Sequence, residues 1–438
     1  MSFFPKHARY KDSGFEWLGE VPEHWDVQSL RAVAGLYVEK NQPDLPVLSV
    51  YREYGVILKD SRDDNHNATS LDTSNYKVVR PGDLAVNKMK AWQGSLGVSE
   101  HHGIVSPAYI TCRLNQEKVT GRYIHYLLRS KSLIGALDSI SYGVRVGQWD
   151  MRFEDFKKVG ITIPPKPEQD RIVAFLDQKT AEIDALIAKK QRQIELLDEQ
   201  KSILINRAVT RGLNPNAKLK PSGIEWIGGI PEHWEVKSAK HACERIIDCK
   251  NRTPDVIPDG GYYVLRTSNV KKGLLVDDEI TRTDQKHFEI WTERGAPQKD
   301  DVLFTREAPA GEACIFDGSI PACLGQRMMY FRTDPTQLLP QFLVHTIYQG
   351  PSATYIVLKT NGSTVGHLRL PQVYALPILL PPVEEQAAIL AMIAATEETE
   401  RKLIQTVETQ IQSLKTLRST LIAHAVTGSI KVELKPND

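Results

Sequence analysis

Two long stretches of the chain place apolar residues at alternating intervals of four and three, which is typical of a helix that packs along another helix. The first stretch runs from about residue 168 to residue 211 and contains neither glycine nor proline. Pro167 precedes it and Gly212 follows it, which suits the two ends of a helix. We therefore predict one continuous helix about 65 Å long. Its seam comprises Leu176, Thr180, Ile183, Ile187, Lys190, Ile194, Leu197, Lys201, Leu204 and Ala208.

The second stretch lies 217 residues further along the chain and keeps the same spacing. Its seam comprises Ile393, Glu397, Glu400, Ile404, Val407, Ile411, Leu414, Arg418, Leu421 and Ala425. A long apolar seam is unstable in water, so we expect the two helices to pair with each other as an antiparallel coiled coil. The alternative is that each helix packs only on its own domain.

Polar residues within the two seams indicate a register for this pair. We expect Lys190 to lie beside Glu397, with Glu400 as the alternative partner. The same register brings Lys201 and Arg418 to the acidic first turns of the opposite helices, where a cation is favoured.

Short motifs recur at both ends of the intervening parts. The sequence E-W-L-G-E-V-P-E-H-W at residues 16–25 returns as E-W-I-G-G-I-P-E-H-W at residues 225–234. The sequence P-P-K-P-E-Q at residues 164–169 returns as P-P-V-E-E-Q at residues 381–386, and A-V-T closes both long stretches. These repeats indicate two tandem copies, each a globular part followed by a long helix. We expect a pseudo-twofold axis that holds the globular parts at the two ends of a rod.

The globular part of each copy is rich in short β-type runs, such as residues 47–50, 109–112 and 159–163, broken by Gly, Pro and Asn. We predict an α+β fold in which two mixed, mostly-β domains are separated by two long helices. The predicted boundaries are a first domain at 1–163, a central spacer helix at 164–212, a second domain at 213–380, and a C-terminal spacer helix and tail at 381–438.

Composition narrows the class of protein. The 438 residues carry 55 Lys and Arg against 54 Asp and Glu, so the strongly basic balance of many nucleic-acid binders is absent. There is no apolar run of about 18 residues, and the five cysteines form no C-x-x-C pair. We expect no membrane span and no disulfide framework, and a cytoplasmic location.

Most signatures of catalysis are missing from the sequence. There is no phosphate-binding G-x-x-x-x-G-K-[ST] or G-x-G-x-x-G loop, no G-x-S-x-G or H-E-x-x-H, and no Asn/Asp-Pro-Pro-aromatic motif of adenine methyltransferases. His24 and His233 occupy the same place in the two copies, so we predict a structural role for both rather than metal binding. We expect neither a catalytic nor a metal site in this chain.

Loops at matched places in the two copies carry basic, polar and aromatic residues. These side chains read base edges: Arg or Lys contacts guanine, and Asn or Gln contacts adenine. The alternative interpretation is an ordinary solvated surface. The candidate DNA-binding residues are Lys88, Lys90, Trp92, Gln93, Arg145 and Gln148 in the first copy, and Arg266, Asn269, Arg306, Gln326, Arg327, Lys359 and Asn361 in the second.

The tandem of globular parts, each opened by the E-W-[LI]-G-x-[VI]-P-E-H-W element and closed by a P-P-x-x-E-Q helix that ends in A-V-T, resembles the specificity subunit of type I restriction-modification systems. The resemblance covers about residues 10 to 432. It implies a non-catalytic subunit whose two target recognition domains each read one half of a split site in double-stranded DNA. It also implies that the paired helices act as spacer and as dock for two modification subunits that methylate adenine N6.

By the same resemblance, a translocating restriction subunit can join the complex. S-adenosylmethionine and ATP with magnesium are then expected on the partner subunits, and no cofactor on this chain. Two rival classes stay open at this stage: an enzyme with an unrecognised catalytic constellation, and a tandem coiled-coil scaffold that binds proteins without DNA specificity.

Overall fold

The computed structural model describes residues 4–62, 69–143, 149–276, 280–360 and 366–433. The chain divides into two compact units. The first unit consists of residues 1–191 and 408–438, and the second consists of residues 192–407. Each unit therefore contains one globular part and one segment of each long helix.

The first globular part is built on a four-stranded antiparallel sheet and on several two-stranded ones. Its elements are β1 (Tyr10–Asp12), β2 (Glu20–Pro22), β3 (Asp26–Ser29), β4 (Ala34–Leu36), β5 (Leu48–Tyr51), β6 (Gly55–Leu58), β7 (Lys77–Val79), β8 (Leu84–Asn87), β9 (Leu96–Val98), β10 (Gly103–Val105), β11 (Tyr109–Leu114), α1 (Gly121–Leu128), α2 (Lys131–Ser139), α3 (Phe153–Phe156), β12 (Gly160–Ile163) and then the long helix α4 (Lys166–Arg211). The larger sheet has the order β4-β11-β8-β9, and β12 pairs with β3 immediately before α4 begins.

The second globular part repeats this plan. Its elements are β13 (Leu219–Pro221), β14 (Gly229–Pro231), β15 (Glu235–Ser238), α5 (Ala239–Ala242), β16 (Arg245–Asp248), β17 (Tyr262–Leu265), β18 (Val270–Lys271), β19 (Leu274–Leu275), β20 (Thr281–Thr283), α6 (Gln285–Trp291), β21 (Val302–Thr305), β22 (Ala313–Ile315), β23 (Ala322–Leu324), β24 (Met328–Arg332), α7 (Pro340–Gln349), α8 (Pro351–Thr360), α9 (Leu370–Tyr374), β25 (Pro377–Leu380) and the long helix α10 (Val383–Thr427). The sheet β16-β24-β21-β22 corresponds to β4-β11-β8-β9, and β15 pairs with β25 as β3 pairs with β12. A three-stranded sheet, β20-β17-β23, joins β17 and β23 in parallel.

The predicted fold class is confirmed. The β-type runs at residues 47–50, 109–112 and 159–163 contain strands β5, β11 and β12, and the continuous helix predicted over residues 168–211 is α4. At about 1.5 Å per residue, its 46 residues span about 69 Å. No helix in the described ranges has the length and apolar content that crossing a membrane requires.

Both ends of each long helix are buried in hydrophobic cores. In the first unit, Leu176 near the start of α4 and Val426 near the end of α10 share one core with Trp25. In the second unit, Val209 near the end of α4 and Ile389 near the start of α10 share a core with Trp234. The first unit is therefore incomplete without a segment more than 200 residues distant in the chain.

Two ion pairs define the register between α4 and α10. In the first unit, Nε of Arg418 lies 3.0 Å from Oδ1 of Asp184. In the second unit, Nζ of Lys201 lies 3.0 Å from Oε2 of Glu400. Along α4 the paired residue numbers rise from 184 to 201, while along α10 they fall from 418 to 400, so the helices run antiparallel, as predicted.

The predicted register, with Lys190 beside Glu397, is wrong by about two heptads. Glu397 is exposed, whereas the alternative acid, Glu400, is buried and pairs with Lys201. A shift by whole heptads keeps apolar residues opposite apolar residues, so the seam spacing alone does not distinguish the two registers. The true partners of the polar residues distinguish them.

The predicted seam of α4 also fails near its end. Leu204 is 40% exposed, whereas its neighbour Ile205 is 1% exposed and belongs to the core of the second unit. From Leu197 the less exposed positions step by four to the half-buried Lys201, by four to Ile205 and then by three to Ala208. Two successive steps of four break the strict heptad and turn this last part of the helix toward its globular unit.

A fully buried glutamine anchors the start of each long helix. In α4, Oε1 of Gln169 accepts a hydrogen bond from the backbone N–H of Thr120 at 2.8 Å, and its amide nitrogen donates to the carbonyls of Lys118 and Pro164 at 2.9 and 2.8 Å. In α10, Gln386 makes the same three bonds, to Leu339 N–H and to the carbonyls of Gln337 and Pro381. The expectation that Lys201 and Arg418 lie beside these helix starts is wrong, because Lys201 pairs with Glu400 and Arg418 with Asp184, several turns inside the opposite helices.

The register can be tested on the Lys201–Glu400 pair. Burial lowers the pKa of Lys201, but hydrogen bonds to Asp198 and Glu400 outweigh it and leave the pKa raised, so Lys201 carries its charge at neutral pH. In a double-mutant cycle of K201E and E400K followed by urea denaturation, we expect a coupling of about 0.5 to 3 kcal/mol. The exposed pair Glu398–Arg401 on the same helix is the control, with a coupling of at most about 0.5 kcal/mol. Equal coupling in the two pairs would contradict the register.

The glutamine anchor gives a second test. Q169L removes an acceptor and two donors at once and leaves the partly buried groups of Thr120 and Lys118 and the buried carbonyl of Pro164 without this partner. An unsatisfied buried group costs about 1 to 3 kcal/mol. We expect the free energy of unfolding to fall by at least about 3 kcal/mol. Q178L on the exposed face of the same helix should change it by no more than about 0.5 kcal/mol. If Q169L is as stable as Q178L, the anchor has no energetic role.

Candidate DNA interface

The loop after β8 carries four of the candidate residues. It turns through a short 3-10 helix at Ala91–Gln93 and closes on Gly94, whose φ of 88° lies in the left-handed region that favours glycine. A Cβ at Gly94 would also meet the side chain of Ile134 at 2.8 Å. Lys90 is exposed on this loop, and Trp92 and Gln93 are half-buried.

The segment 149–152 packs beside this loop. The backbone N–H of Met151 donates to the carbonyl of Lys88 at 3.0 Å, and Nζ of Lys88 lies 3.3 Å from Oδ2 of Asp150. The rings of Trp92 and Trp149 are 4.9 Å apart between centroids. The first unit therefore presents a basic and aromatic surface built from two separate parts of the chain.

The second unit repeats the backbone contact at the equivalent place. The N–H of Leu368 donates to the carbonyl of Arg306 at 3.0 Å, and Arg306 follows β21 as Lys88 follows β8. Because the same bond holds a loop of each copy against the same later segment, the two candidate surfaces occupy corresponding positions on their sheets.

Three candidates of the second unit form one exposed polar surface. The N–H of Gly325 donates to the carbonyl of Leu265 at 2.7 Å, which brings Gln326 next to Arg266. Nε of Arg327 lies 2.9 Å from Oε2 of Glu307. Arg266, Gln326 and Arg327 are all exposed.

Two other candidates have a structural role. Asn269 is fully buried, and its Oδ1 accepts a hydrogen bond from the N–H of Arg266 at 2.9 Å, which closes a short 3-10 helix. The guanidinium of Arg306 is buried with Nε 3.2 Å from Oδ1 of Asp248. Burial raises the pKa of Asp248, while Arg306 acts in the opposite direction. In this structure the side chains of Asn269 and Arg306 serve the fold.

The remaining candidates divide between the surface and the residues outside the described ranges. Lys359 is exposed at the end of α8, with its ammonium 5.6 Å from the ring of Tyr355. Arg145, Gln148 and Asn361 lie outside the described residues.

Sequence reasoning missed several residues of these surfaces. Trp149 packs against Trp92 with its ring tilted by 57°, and the guanidinium of Arg152 lies 5.4 Å from the ring of Tyr142. In the second unit His367 pairs with Glu307. The signal for the first two was the alternation of aromatic and basic residues in W-D-M-R at residues 149–152, directly after the loop that was singled out.

The two repeated motifs meet at the start of each long helix. Nε2 of His24 lies 2.9 Å from Oε2 of Glu168, and Nε2 of His233 lies 2.7 Å from Oε2 of Glu385. The histidine of the opening motif is thus bound to the glutamate of the P-P-x-x-E-Q motif in both copies. Among the described residues, one group could hold a metal ion: His7, His24 and Glu168. It includes none of the candidate DNA contacts.

Comparison with known proteins places this arrangement in a family. Residues 40–196 and 231–412 match the family described as type I restriction modification DNA specificity domain. The type I restriction enzyme MjaVIII specificity subunit of Methanocaldococcus jannaschii is 23% identical over 97% of this chain and 97% of its own length.

Solved structures share the fold. A chain from a structure on complex assembly and conformational transition of a type I R-M system superposes with a TM-score of 0.63 at 17% identity, covering 93% of this chain and 98% of that one. The HsdS subunit of Thermoanaerobacter tengcongensis gives a TM-score of 0.50 at 18% identity, covering 96% of this chain and 100% of that one.

The chain belongs to the specificity subunits of type I restriction-modification systems. Proteins of this class recognise the DNA sequence and are not themselves catalytic. The predicted family and the predicted DNA-recognition function are confirmed, and the scaffold without DNA specificity is set aside.

The structural role of Arg306 can be separated from DNA contact. R306A leaves the carboxylate of Asp248 buried without its partner, so we expect the free energy of unfolding to fall by about 3 to 5 kcal/mol. R266A, at an exposed site, should change it by no more than about 0.5 kcal/mol. The double variant R306L/D248L should recover much of the loss, because it removes both charges. An unfolding free energy of R306A equal to that of R266A would refute the structural assignment.

Proposed function

We propose that each unit reads one half of a split target in double-stranded DNA, and that the two loop surfaces make the contacts. The observation that carries this proposal is the repeated backbone bond, Met151 to Lys88 and Leu368 to Arg306, which builds equivalent surfaces on equivalent sheets. The sequences of these surfaces differ between the copies although the framework is repeated. That is expected when two related domains read different bases.

The polar side chains on these surfaces suit base recognition. Lys90 and Gln93 in the first unit, and Arg266, Gln326 and Arg327 in the second, supply the donors and acceptors that read the major groove. Trp92 supplies a rigid apolar face. The net charge of the whole chain is only +1, so a partner subunit contributes part of the attraction to the phosphates.

The long helices offer surfaces for those partners. Both helices expose large apolar side chains: Leu186 and Leu417 in the first unit, and Ile203 and Leu403 in the second. Exposed apolar side chains mark a site of protein–protein contact when they form a contiguous patch. The proposal is that two modification subunits, which methylate adenine N6, dock along these helices, and that a restriction subunit can join the complex. S-adenosylmethionine and ATP with magnesium then bind to the partners.

The proposal is tested by half-site specificity. The chain is co-expressed with its modification subunit, and methylated adenines in host DNA are mapped by single-molecule sequencing. We expect K90A/Q93A to relax only one half of the methylated motif and R266A/Q326A to relax only the other. Each lost base contact costs about 1 to 3 kcal/mol of discrimination.

A matched control is K118A, which removes an exposed lysine of the first unit outside the loop surface and should leave the motif unchanged. Relaxation of both halves by a variant confined to one unit would contradict the division of the target. An unchanged motif in both double variants would contradict the assignment of the loop surfaces.

A further inference from the structure

A cluster of two histidines and a glutamate lies at the first turn of α4. One nitrogen or oxygen from each of His7, His24 and Glu168 falls within 4.8 Å of the other two. Nε2 of His24 is 2.9 Å from Oε2 of Glu168, and Nε2 of His7 is 3.9 Å from Oε1. The side chains of His7 and Glu168 are 7% and 10% exposed, whereas half of the His24 side chain is exposed.

The ring of His7 points an unpartnered nitrogen into this cluster. A hydrogen bond to the backbone of Ile430 uses one ring nitrogen, and Nε2 is buried with no hydrogen-bond partner among the described residues. With the proton on the nitrogen that faces Ile430, Nε2 turns a lone pair toward the Glu168 carboxylate. A lone pair facing a carboxylate is unfavourable unless a cation lies between them.

The second copy shows the same site without a counterpart of His7. There, His233 and the indole N–H of Trp234 both bond Oε2 of Glu385, at 2.7 and 3.0 Å. In the first copy the indole Nε1 of Trp25 is buried with no partner in the described parts of the chain, so Glu168 does not receive that donor.

The position of His7 in the second copy is occupied by Asn216. Strands β1 and β13 begin at Tyr10 and Leu219, and these residues pair with Pro22 and Pro231. Counting back three residues from each strand leads to His7 and to Asn216, which is exposed. In the first copy a second imidazole therefore faces the carboxylate, whereas in the second copy the indole N–H of Trp234 bonds it.

We propose that His7, His24 and Glu168 bind a divalent transition-metal ion of the zinc type. Two imidazoles and one carboxylate form a ligand set that Zn²⁺ and Co²⁺ share. Bonds of 2.0 to 2.1 Å in tetrahedral geometry place ligand atoms about 3.4 Å apart, which lies between the two distances to the carboxylate. The hydrogen bond of His7 to the backbone of Ile430 fixes the ring in the orientation that a metal ligand needs.

The fourth coordination position is open to solvent. A surface cavity lined by Lys6, His7, Arg9, Glu23, His24 and Lys431 reaches the cluster and supplies a path for the ion and for a water ligand. Lys6, Arg9 and Lys431 oppose a cation, and the carboxylates of Glu168 and Glu23 favour it. The site therefore depends on direct ligation rather than on general electrostatic attraction.

A bound ion would join three parts of the first unit that are far apart in sequence. It would tie the segment before β1 to the opening motif and to the first turn of α4. The backbone N–H of Lys431 donates to the carbonyl of Pro5 at 2.7 Å, so the segment after α10 lies in the same place. The expected effect of the ion is to stabilise the first unit.

The test uses the untagged full chain, stripped with chelator and titrated with Co²⁺ and Zn²⁺. We expect one equivalent of Co²⁺ to give visible d–d absorption bands, and Zn²⁺ to displace it and to raise the melting temperature. H7N, which copies the residue of the second copy, should weaken binding by at least about tenfold, because loss of a ligand costs no less than loss of a supporting contact. H24Q and E168Q should do the same.

H233Q is the matched control, because it changes the equivalent histidine in the copy that lacks a third ligand. It should bind Co²⁺ as the unchanged chain does. Circular dichroism of each metal-free variant distinguishes loss of metal binding from loss of the fold. H24Q tests the site even if H7N unfolds, because the His24 side chain is half exposed and its substitution disturbs the core less. Absence of a saturable equivalent in the unchanged chain, or equal weakening by H233Q and H24Q, would overturn the proposal.

Discussion

An apolar stripe about 69 Å long cannot be buried by one small domain, and this constraint governs the arrangement of the chain. Each long helix buries its two ends in different cores. Leu176 lies in the core of the first unit, while Val209 of the same helix lies in the core of the second. The helices therefore belong to both units. The core of each globular part is complete only with residues from both long helices.

The repeated motifs are explained by the contacts that start each helix. The histidine of the opening motif bonds the glutamate of the P-P-x-x-E-Q motif, and the glutamine of that motif saturates backbone groups of the globular part. These bonds need particular donors and acceptors at fixed places, so both copies keep them. Apart from one backbone bond each, and from Gly94 in the first loop and Arg306 in the second, the loops after β8 and β21 have no such requirement. The other side chains of these loops are free to differ, as the proposed reading of different half-sites requires.

The sequence predicted the features that depend on local pattern. The bounds of α4, the strands around residues 47–50 and 159–163, and the antiparallel pairing follow from periodicity and from Gly and Pro. The register of the two helices could not be predicted, because a seam of apolar residues looks the same after a shift of two heptads. Only the pairing of Lys201 with Glu400 distinguishes the predicted register from the observed one. The role of Arg306 did not follow either, because Asp248, the acid that holds it, lies on a distant strand of the same sheet.

The segment from residue 408 onward completes the first unit, and this has a consequence for synthesis on the ribosome. Leu421, Ala425 and Val426 share a core with Trp25, which is translated some 400 residues earlier. The second unit, by contrast, is one continuous run of chain, from residue 192 to residue 407. Domains usually fold in the order in which they are made. Here the first unit keeps part of its apolar core exposed until the second unit and the end of α10 have been translated. A nonsense mutation shortly before Glu408 would therefore spare the later-made half and leave the earlier one without part of its interior.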